Sequence, residues 1–413
     1  MASPLGPVFV SYRRNRLDET SELVDRLRDR GVGTWIDVNN LANEPTEAAI
    51  RATLNDANTS GAVLWLTPDV EDSEIIRAVE VPEAVRRHKR DPSFWLIIVL
   101  AGGLDYADAG TLFSDTLGGQ DLSGWNLTKV SSPRATTSEI ESVAASSLRR
   151  RLATIYGPAN PPESVDVVVD AKGTPRLGTR HALSVDWTDY FAVGPPSSED
   201  WVAMSNAARD VATAVKQELA SGTAITLAGT PSIPAAILLG STYPGRDGHN
   251  PTWMQRQPDG VTITPWNMAS ANDSEYAKEL GWKVAEPIYR DTNAKDLAVC
   301  ISVSDDVSGA FARSKDISSA WRAVLPIESG GDRNTRAQPL QAHEVASLVH
   351  LTIDAIRDLR TRVLGIESVH FFVAGPAGFG FLLGTRLATL PTVVTYEFST
   401  AAVRYVRAAI ITP

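Results

Sequence analysis

The sequence predicts an α/β protein: an N-terminal parallel sheet covered on both faces, then a second part made of two related Rossmann-type units. Three observations carry this. Short apolar runs alternate with amphipathic segments of helical length through the first 156 residues, the pattern of βαβ units in a sheet covered on both faces. A Pro-rich stretch, Gly157-Pro158-Ala159-Asn160-Pro161-Pro162, breaks that pattern and reads as a linker. Behind it, one strand–helix signature occurs twice. Length agrees, since 413 residues at roughly 150 per domain make two to three folding units. The expected domains are 1–156, a linker at 157–165, and 166–413, the last divided into halves of about 166–290 and 291–413.

The first strand is Val8-Phe9-Val10-Ser11-Tyr12. An amphipathic helix over 17–30 follows, with Leu17, Val24 and Leu27 apolar, and Gly31 and Gly33 end it. Thr34-Trp35-Ile36-Asp37 is the second strand and leads into a polar loop with Pro45. A helix around 46–56 precedes the third strand, Gly61–Leu66. Residues 73–90 read as a helix with Ile75, Ile76 and Val79 on one side, and Phe94–Leu100 is the fourth strand. A helix from Glu139 to Tyr156 closes the unit.

The repeat is anchored on Leu227-Ala228-Gly229-Thr230-Pro231-Ser232 and Val373-Ala374-Gly375-Pro376-Ala377. Each anchor leads into a helix reaching Leu-Leu-Gly, at 238–240 and 382–384. A long helix precedes each, at about 198–219 and 341–363, with Ala182–Asp186 and Leu297–Val303 as the strands before those. The expected following strands are Val261–Trp266 and Val393–Tyr396, each ending in an aromatic residue. A duplicated unit makes a pseudo-two-fold cleft, suited to a ligand that is itself nearly symmetric.

Composition narrows the function. The net charge of −10 argues against long nucleic acid and anionic membranes as partners, but leaves room for a small nucleotide in a local pocket. A single cysteine makes no internal disulfide. With no signal-peptide pattern and no membrane-length apolar run, the sequence reads as cytoplasmic. The histidines at 88, 181, 249, 343, 350 and 370 lack metal-ligand spacing, and neither a Walker-type phosphate loop nor H-E-x-x-H occurs, so no metal is expected.

Phe9-Val10-Ser11-Tyr12-Arg13-Arg14 places a polar cluster just past the carboxyl end of a parallel strand, where open α/β sheets bind ligands. With Trp35-Ile36-Asp37-Val38-Asn39-Asn40-Leu41 and Leu64-Trp65-Leu66-Thr67-Pro68 in order behind it, this resembles a TIR domain over about residues 6–156, which implies a flavodoxin-like sheet. The resemblance implies cleavage of NAD+ at the nicotinamide–ribose bond, with NAD+ as substrate and no further cofactor. It implies one catalytic glutamate in the helix after the third strand. Glu80-Val81-Pro82-Glu83-Ala84-Val85 resembles that run and selects Glu80, with Glu83 the fallback. The aromatic residue that often precedes the glutamate in the family is absent from Ile75–Val79. Arg13, Arg14, Asp37, Leu41 and Thr67 would line the same pocket.

The duplicated part resembles a SAVED domain, a fusion of two CARF-like units, over about 166–413. The resemblance implies a cyclic oligonucleotide activator, a cyclic trinucleotide being favoured, and a homo-oligomer or filament on activation, as in bacterial cyclic-oligonucleotide antiphage signalling. Thr230, Ser232 and the backbone at Gly375 and Pro376 would meet phosphates, with Arg386 adding charge. Trp266 and Tyr396 would stack on bases, against an alternative of core packing. Two other readings stay open: a non-enzymatic TIR scaffold assembled by a cyclic nucleotide, and a dinucleotide-binding oxidoreductase site over 366–400 with Glu397 on a ribose.

Overall fold

The structure, a computed structural model, describes Ser3, Leu122 and residues 5–36, 46–117, 125–156, 163–173, 181–218, 223–245, 250–270, 273–314, 320–329 and 339–413. Asp37, Leu41 and most of the expected linker lie outside these. The chain divides into two compact units. The first comprises 1–162, 176–186 and 213–221; the second comprises 163–175, 187–212 and 222–413.

In the first unit, strands β1 (Val8–Ser11), β2 (Thr34–Trp35), β3 (Gly61–Leu66), β4 (Trp95–Leu100) and β5 (Leu127–Lys129) form one sheet in the order β2-β1-β3-β4-β5. Every pairing is parallel. This is the flavodoxin-like order, which places ligand chemistry at the carboxyl edge beside β1 and β3. β3 is buried at every position and β4 at nearly every one, as a sheet covered on both faces requires.

Helices α1 (Leu17–Asp29), α2 (Thr46–Asn55), α3 (Val81–Arg90), α4 (Tyr106–Leu112) and α5 (Thr137–Ile155) make the connections. α1 stops where Gly31 turns the chain at φ 79°. Thr136 caps α5 reciprocally: its hydroxyl accepts from the Glu139 N–H, and the Glu139 carboxylate accepts from the Thr136 N–H at 2.8 Å. Two expectations are corrected here. The segment 73–90 is not one regular helix: a 3-10 turn at Pro68–Asp72 and a π-helical turn at Ile76–Glu80 precede α3. The elements α4 and β5 fall where the sequence shows no element, because both are short and β5 buries only Leu127.

The second unit holds the repeat. Strands β6 (Ser164–Asp170), β7 (Ala224–Thr230), β8 (Thr252–Arg256) and β9 (Ile263–Trp266) are neighbours in the order β6-β7-β8-β9. The first two pairings are parallel and the last is antiparallel. Strands β10 (Asp296–Ser302), β11 (Ala323–Ser329), β12 (Ser368–Ala374), β13 (Thr392–Ser399) and β14 (Arg404–Ile411) are five of the seven strands of the second sheet, with Trp282–Val284 and Ile288–Tyr289 antiparallel to β11. There the run β10-β12-β13-β14 repeats the same path with the same directions, and β11 lies parallel on the other side of β10. Helices α6 (Ser198–Glu218) and α8 (Ala342–Arg362) precede the matched strands β7 and β12, and α7 (Ile233–Ser241) and α9 (Ala377–Gly384) follow them.

The duplication stands, with its ends reassigned. The first strand of the first copy is β6, which starts at Ser164 inside the range that reads as linker, and it matches β10. The expected partners Val261–Trp266 and Val393–Tyr396 are not equivalent: the first is the antiparallel β9, matching β14, and the second is the parallel β13, matching β8.

The repeated Leu-Leu-Gly has a packing cause. α7 and α9 cross against each other at these glycines. A Cβ on Gly240 would lie 2.0 Å from the Phe381 carbonyl oxygen, and one on Gly384 would lie 2.2 Å from that of Ile237. Only glycine at both positions permits backbones this close.

Candidate functional site

The first candidate site sits at the carboxyl edge of the first sheet. The π-helical turn after β3 carries Glu80, 7% exposed, and the Ser11 hydroxyl at the end of β1 donates to Glu80 Oε2. A π turn adds a residue to one helical turn, rotates the chain beyond it and recurs at functional positions. Glu83, three residues on, is held differently. Its carboxylate pairs with Arg51 and with Arg86, the latter at 2.6 Å. Glu83 is thus committed to an ion-pair cluster on the helix, whereas Glu80 reaches the strand edge.

Just past the end of β3 lies a second polar group, centred on Asp69. Thr67 Oγ1 donates to Asp69 Oδ1 at 2.5 Å, and Asn15 Nδ2 and Arg13 Nε donate to Oδ2 at 2.6 and 3.4 Å. Burial pulls the Asp69 carboxyl upward, but the hydrogen bonds from Thr67, Asn15 and Arg13 outweigh it and hold the group below its ordinary value. The strand ends therefore join Ser11 to Glu80, and Arg13 to Thr67 through Asp69. Arg14 is exposed, and Thr67 is fully buried, so it acts through Asp69 rather than as an open contact. Asp69 joins the site from the structure alone; Ser11, part of the polar run at the end of the first strand, gains from it a role as the partner of Glu80.

In the second unit, the expected phosphate contacts lie at the end of β7 and at the starts of α7 and α9, with Arg386 just past the end of α9. Thr230 Oγ1 at the end of β7 donates to Asp170 Oδ1 at 3.0 Å and to the Lys172 carbonyl at 2.7 Å. Ser232 is enclosed at the start of α7, 3% exposed. Gly375 and Pro376 lie at the start of α9, where the Gly378 N–H already donates to Gln255 Oε1 at 3.1 Å and the Phe379 N–H to the Pro376 carbonyl. Arg386 lines a separate cavity of about 240 Å³ with Tyr243, Asn250 and Thr385. Burial, then the neighbouring Arg357, lowers its pKa.

The two aromatic assignments are corrected. Trp266 is 1% exposed and borders Gly378 in the core. Tyr396 is 2% exposed; its ring stacks on Phe372 at 4.2 Å and its hydroxyl meets His370 Nδ1 at 2.7 Å. Neither ring offers a free face to a base.

What the second unit offers instead is a cavity of about 600 Å³ at the carboxyl end of β6 and the end of β13. Lys172, Asp189, Phe191, Glu397, Ser399 and Thr400 are among its lining. Lys172 Nζ bonds Glu397 Oε1 at 2.6 Å and lies 5.9 Å from the centre of the Phe191 ring. The cavity therefore joins the first copy of the repeat, through Lys172, to the second, through Glu397. Its size suits a small-molecule ligand. Lys172 carries no signal in the sequence because the prolines before β6 make that strand's start read as linker; Glu397 stands out there, but only as part of a dinucleotide site.

Among the described residues no group of acidic, histidine or cysteine side chains is arranged to hold a metal, and no helix is long and apolar enough to cross a membrane. The pieces define a multidomain α/β protein: a flavodoxin-like unit with a carboxylate at its ligand edge, and a duplicated unit with a cavity joining its two copies. More particularly, residues 207–411 match the family model SAVED, the SMODS-associated and fused to various effectors sensor domain. Similar solved structures include the Acinetobacter baumannii Cap4 SAVED/CARF-domain containing receptor with the cyclic trinucleotide 2′3′3′-cAAA (11% identity, TM-score 0.49, covering 90% of this chain and 86% of that one). The same receptor with 3′3′3′-cAAA matches at 11% identity and TM-score 0.47, covering 98% and 100%. The Moraxella osloensis Cap4 receptor matches at 12% identity and TM-score 0.38, covering 97% and 100%. No curated protein matches the chain in sequence.

Proposed function

We propose that this protein is a cyclic-oligonucleotide-activated NAD+ hydrolase of bacterial antiphage signalling, its first unit a TIR domain and its second the sensor. The single observation that carries the catalytic half is Glu80. It is a buried carboxylate on a π-helical turn, held by Ser11 at the ligand edge of a flavodoxin-like sheet. The SAVED match and the cavity bearing Lys172 support the sensing half.

The chemistry asks little of the protein. Nicotinamide in NAD+ is a pyridinium and departs as a neutral molecule once the C–N bond breaks and its nitrogen takes both bonding electrons, so no general acid is required. Positive charge then develops on the ribose as an oxocarbenium-like centre. The Glu80 carboxylate, accepting hydrogen bonds from the ribose hydroxyls, stabilises that charge. Water adds to the anomeric carbon and releases a proton, giving an ADP-ribose product. Arg13, which donates to Asp69 at this edge, lines the substrate pocket in this reading. At 7% exposure Glu80 is closed to substrate in the isolated chain. That fits an enzyme silent until the sensor binds its ligand and copies of the chain assemble, since a ligand drives assembly only by binding the assembled state more tightly.

The test incubates the full chain with NAD+ and a panel of cyclic di-, tri- and tetranucleotides and follows free nicotinamide. Release with one ring and not with the others is expected. Binding and assembly without any release would make the first unit a scaffold, and no response to any ring would overturn the proposal.

A further inference from the structure

Glu397 is buried, 4% exposed, and its two carboxylate oxygens are treated differently. Oε1 takes the Lys172 ammonium at 2.6 Å; Oε2 has no hydrogen-bond partner among the described residues. Lys172 itself is half exposed and sits on the wet side of the pair, under the Phe191 ring. Both residues line the 600 Å³ cavity. A buried carboxylate tolerates one unsatisfied oxygen while its counterion stays; losing the counterion leaves an uncompensated charge, which is far more costly.

We propose that Lys172 and Glu397 form an internal ion pair that the ligand exchanges, and that Glu397 thereby selects rings presenting a hydrogen-bond donor to it. This rests on the reading of the cavity as the cyclic-oligonucleotide site. An incoming phosphodiester competes for Lys172, the accessible member of the pair. Glu397 then needs a replacement, and only a donor on the ligand supplies one: a base amino group or a ribose hydroxyl. A ring with phosphates and no such donor strips Glu397 of its partner and returns nothing. Discrimination thus comes from an acceptor left unpaired by the wrong ligand, the mode in which buried polar groups reject most strongly.

The experiment is a binding titration on the full chain with cyclic tri-AMP and two analogues. In one, purine riboside replaces adenosine and removes the 6-amino group; in the other, the free ribose hydroxyls are removed. Wild type is expected to bind one analogue at least about 10-fold more weakly than cyclic tri-AMP, and which one identifies the donor. Glu397→Gln, carrying no charge to strand, is expected to shrink that ratio to below about 3-fold. Lys172→Met is expected to weaken all rings alike, flatten the salt dependence and keep the ratio. A ratio equal in wild type and Glu397→Gln, or no discrimination in wild type, overturns the assignment of Glu397 alone. If Glu397→Gln does not fold, the wild-type and Lys172→Met ratios still decide. No binding of any ring to wild type overturns the cavity's reading as well.

Discussion

The crossing of α7 and α9 makes a prediction that the geometry fixes closely. Replacing Gly384 with Ala puts a methyl 2.2 Å from the Ile237 carbonyl oxygen and 2.8 Å from the Gly240 Cα. The reciprocal change at Gly240 meets the Phe381 carbonyl oxygen at 2.0 Å and the Gly384 Cα at 3.0 Å. The obstructing atoms are backbone, so no side chain can swing aside, and the helices must part by more than about 1 Å to restore ordinary contact. Overpacking of this kind costs about 1–3 kcal/mol, and a rigid backbone neighbour places these sites at the upper end. For a unit of this size that lowers the melting temperature by about 5–10 °C. The assay is scanning calorimetry of Gly240→Ala, Gly384→Ala and the double variant. Because each alanine parts the same two helices, the double variant should lose less than the sum of the singles. A single variant melting within about 1 °C of wild type, or strict additivity, would refute the close crossing.

Other outcomes rest on the same structure. If the proposed hydrolysis holds, Ser11→Ala should lower turnover by about 10-fold with little change in the KM for NAD+, since Ser11 bonds Glu80; steady-state nicotinamide release separates the two constants. Glu83→Gln should leave turnover within about 2-fold of wild type in the same assay, because Glu83 serves the Arg51 and Arg86 pairs. Asp69 has its folded pKa depressed, so it contributes stability above the ordinary carboxylate range that is lost as pH falls through the lower folded value. Wild type should therefore exceed Asp69→Asn in urea-denaturation stability at pH 7, and the gap should close on acidification; a constant gap would contradict this. Burial pushes the Cys300 thiol up to about 12, so a disulfide reagent at pH 8 should label it only after denaturant is added.

Much of this fold is legible in the sequence, for physical reasons. The strands β1, β3 and β4 are buried on both faces and read as continuous apolar runs, which periodicity detects. The Leu-Leu-Gly pair is visible because a backbone crossing tolerates nothing but glycine. Elements that stay hidden lack such a constraint. β6 begins with exposed Ser164 and half-polar alternation just behind prolines, and β8 carries Gln255 and Arg256 on a partly exposed strand. With β6 hidden, Lys172 is hidden too. The aromatics mislead in the opposite sense: sequence shows that Trp266 and Tyr396 end β-like runs, but not which face they take, and both turn inward. The π turn at Ile76–Glu80 leaves no mark in the residue pattern, since it changes the backbone path and not the composition.

The central claim joins a ligand at the second unit to a carboxylate at the first. The measurement that tests it most directly is nicotinamide release from NAD+ by the full chain and by Glu80→Gln, each with and without the ring that the cyclic-nucleotide panel selects. The account predicts release by wild type only when the ring is present, and none from Glu80→Gln although that variant still binds the ring. Equal release by Glu80→Gln, or release that ignores every ring, would contradict it.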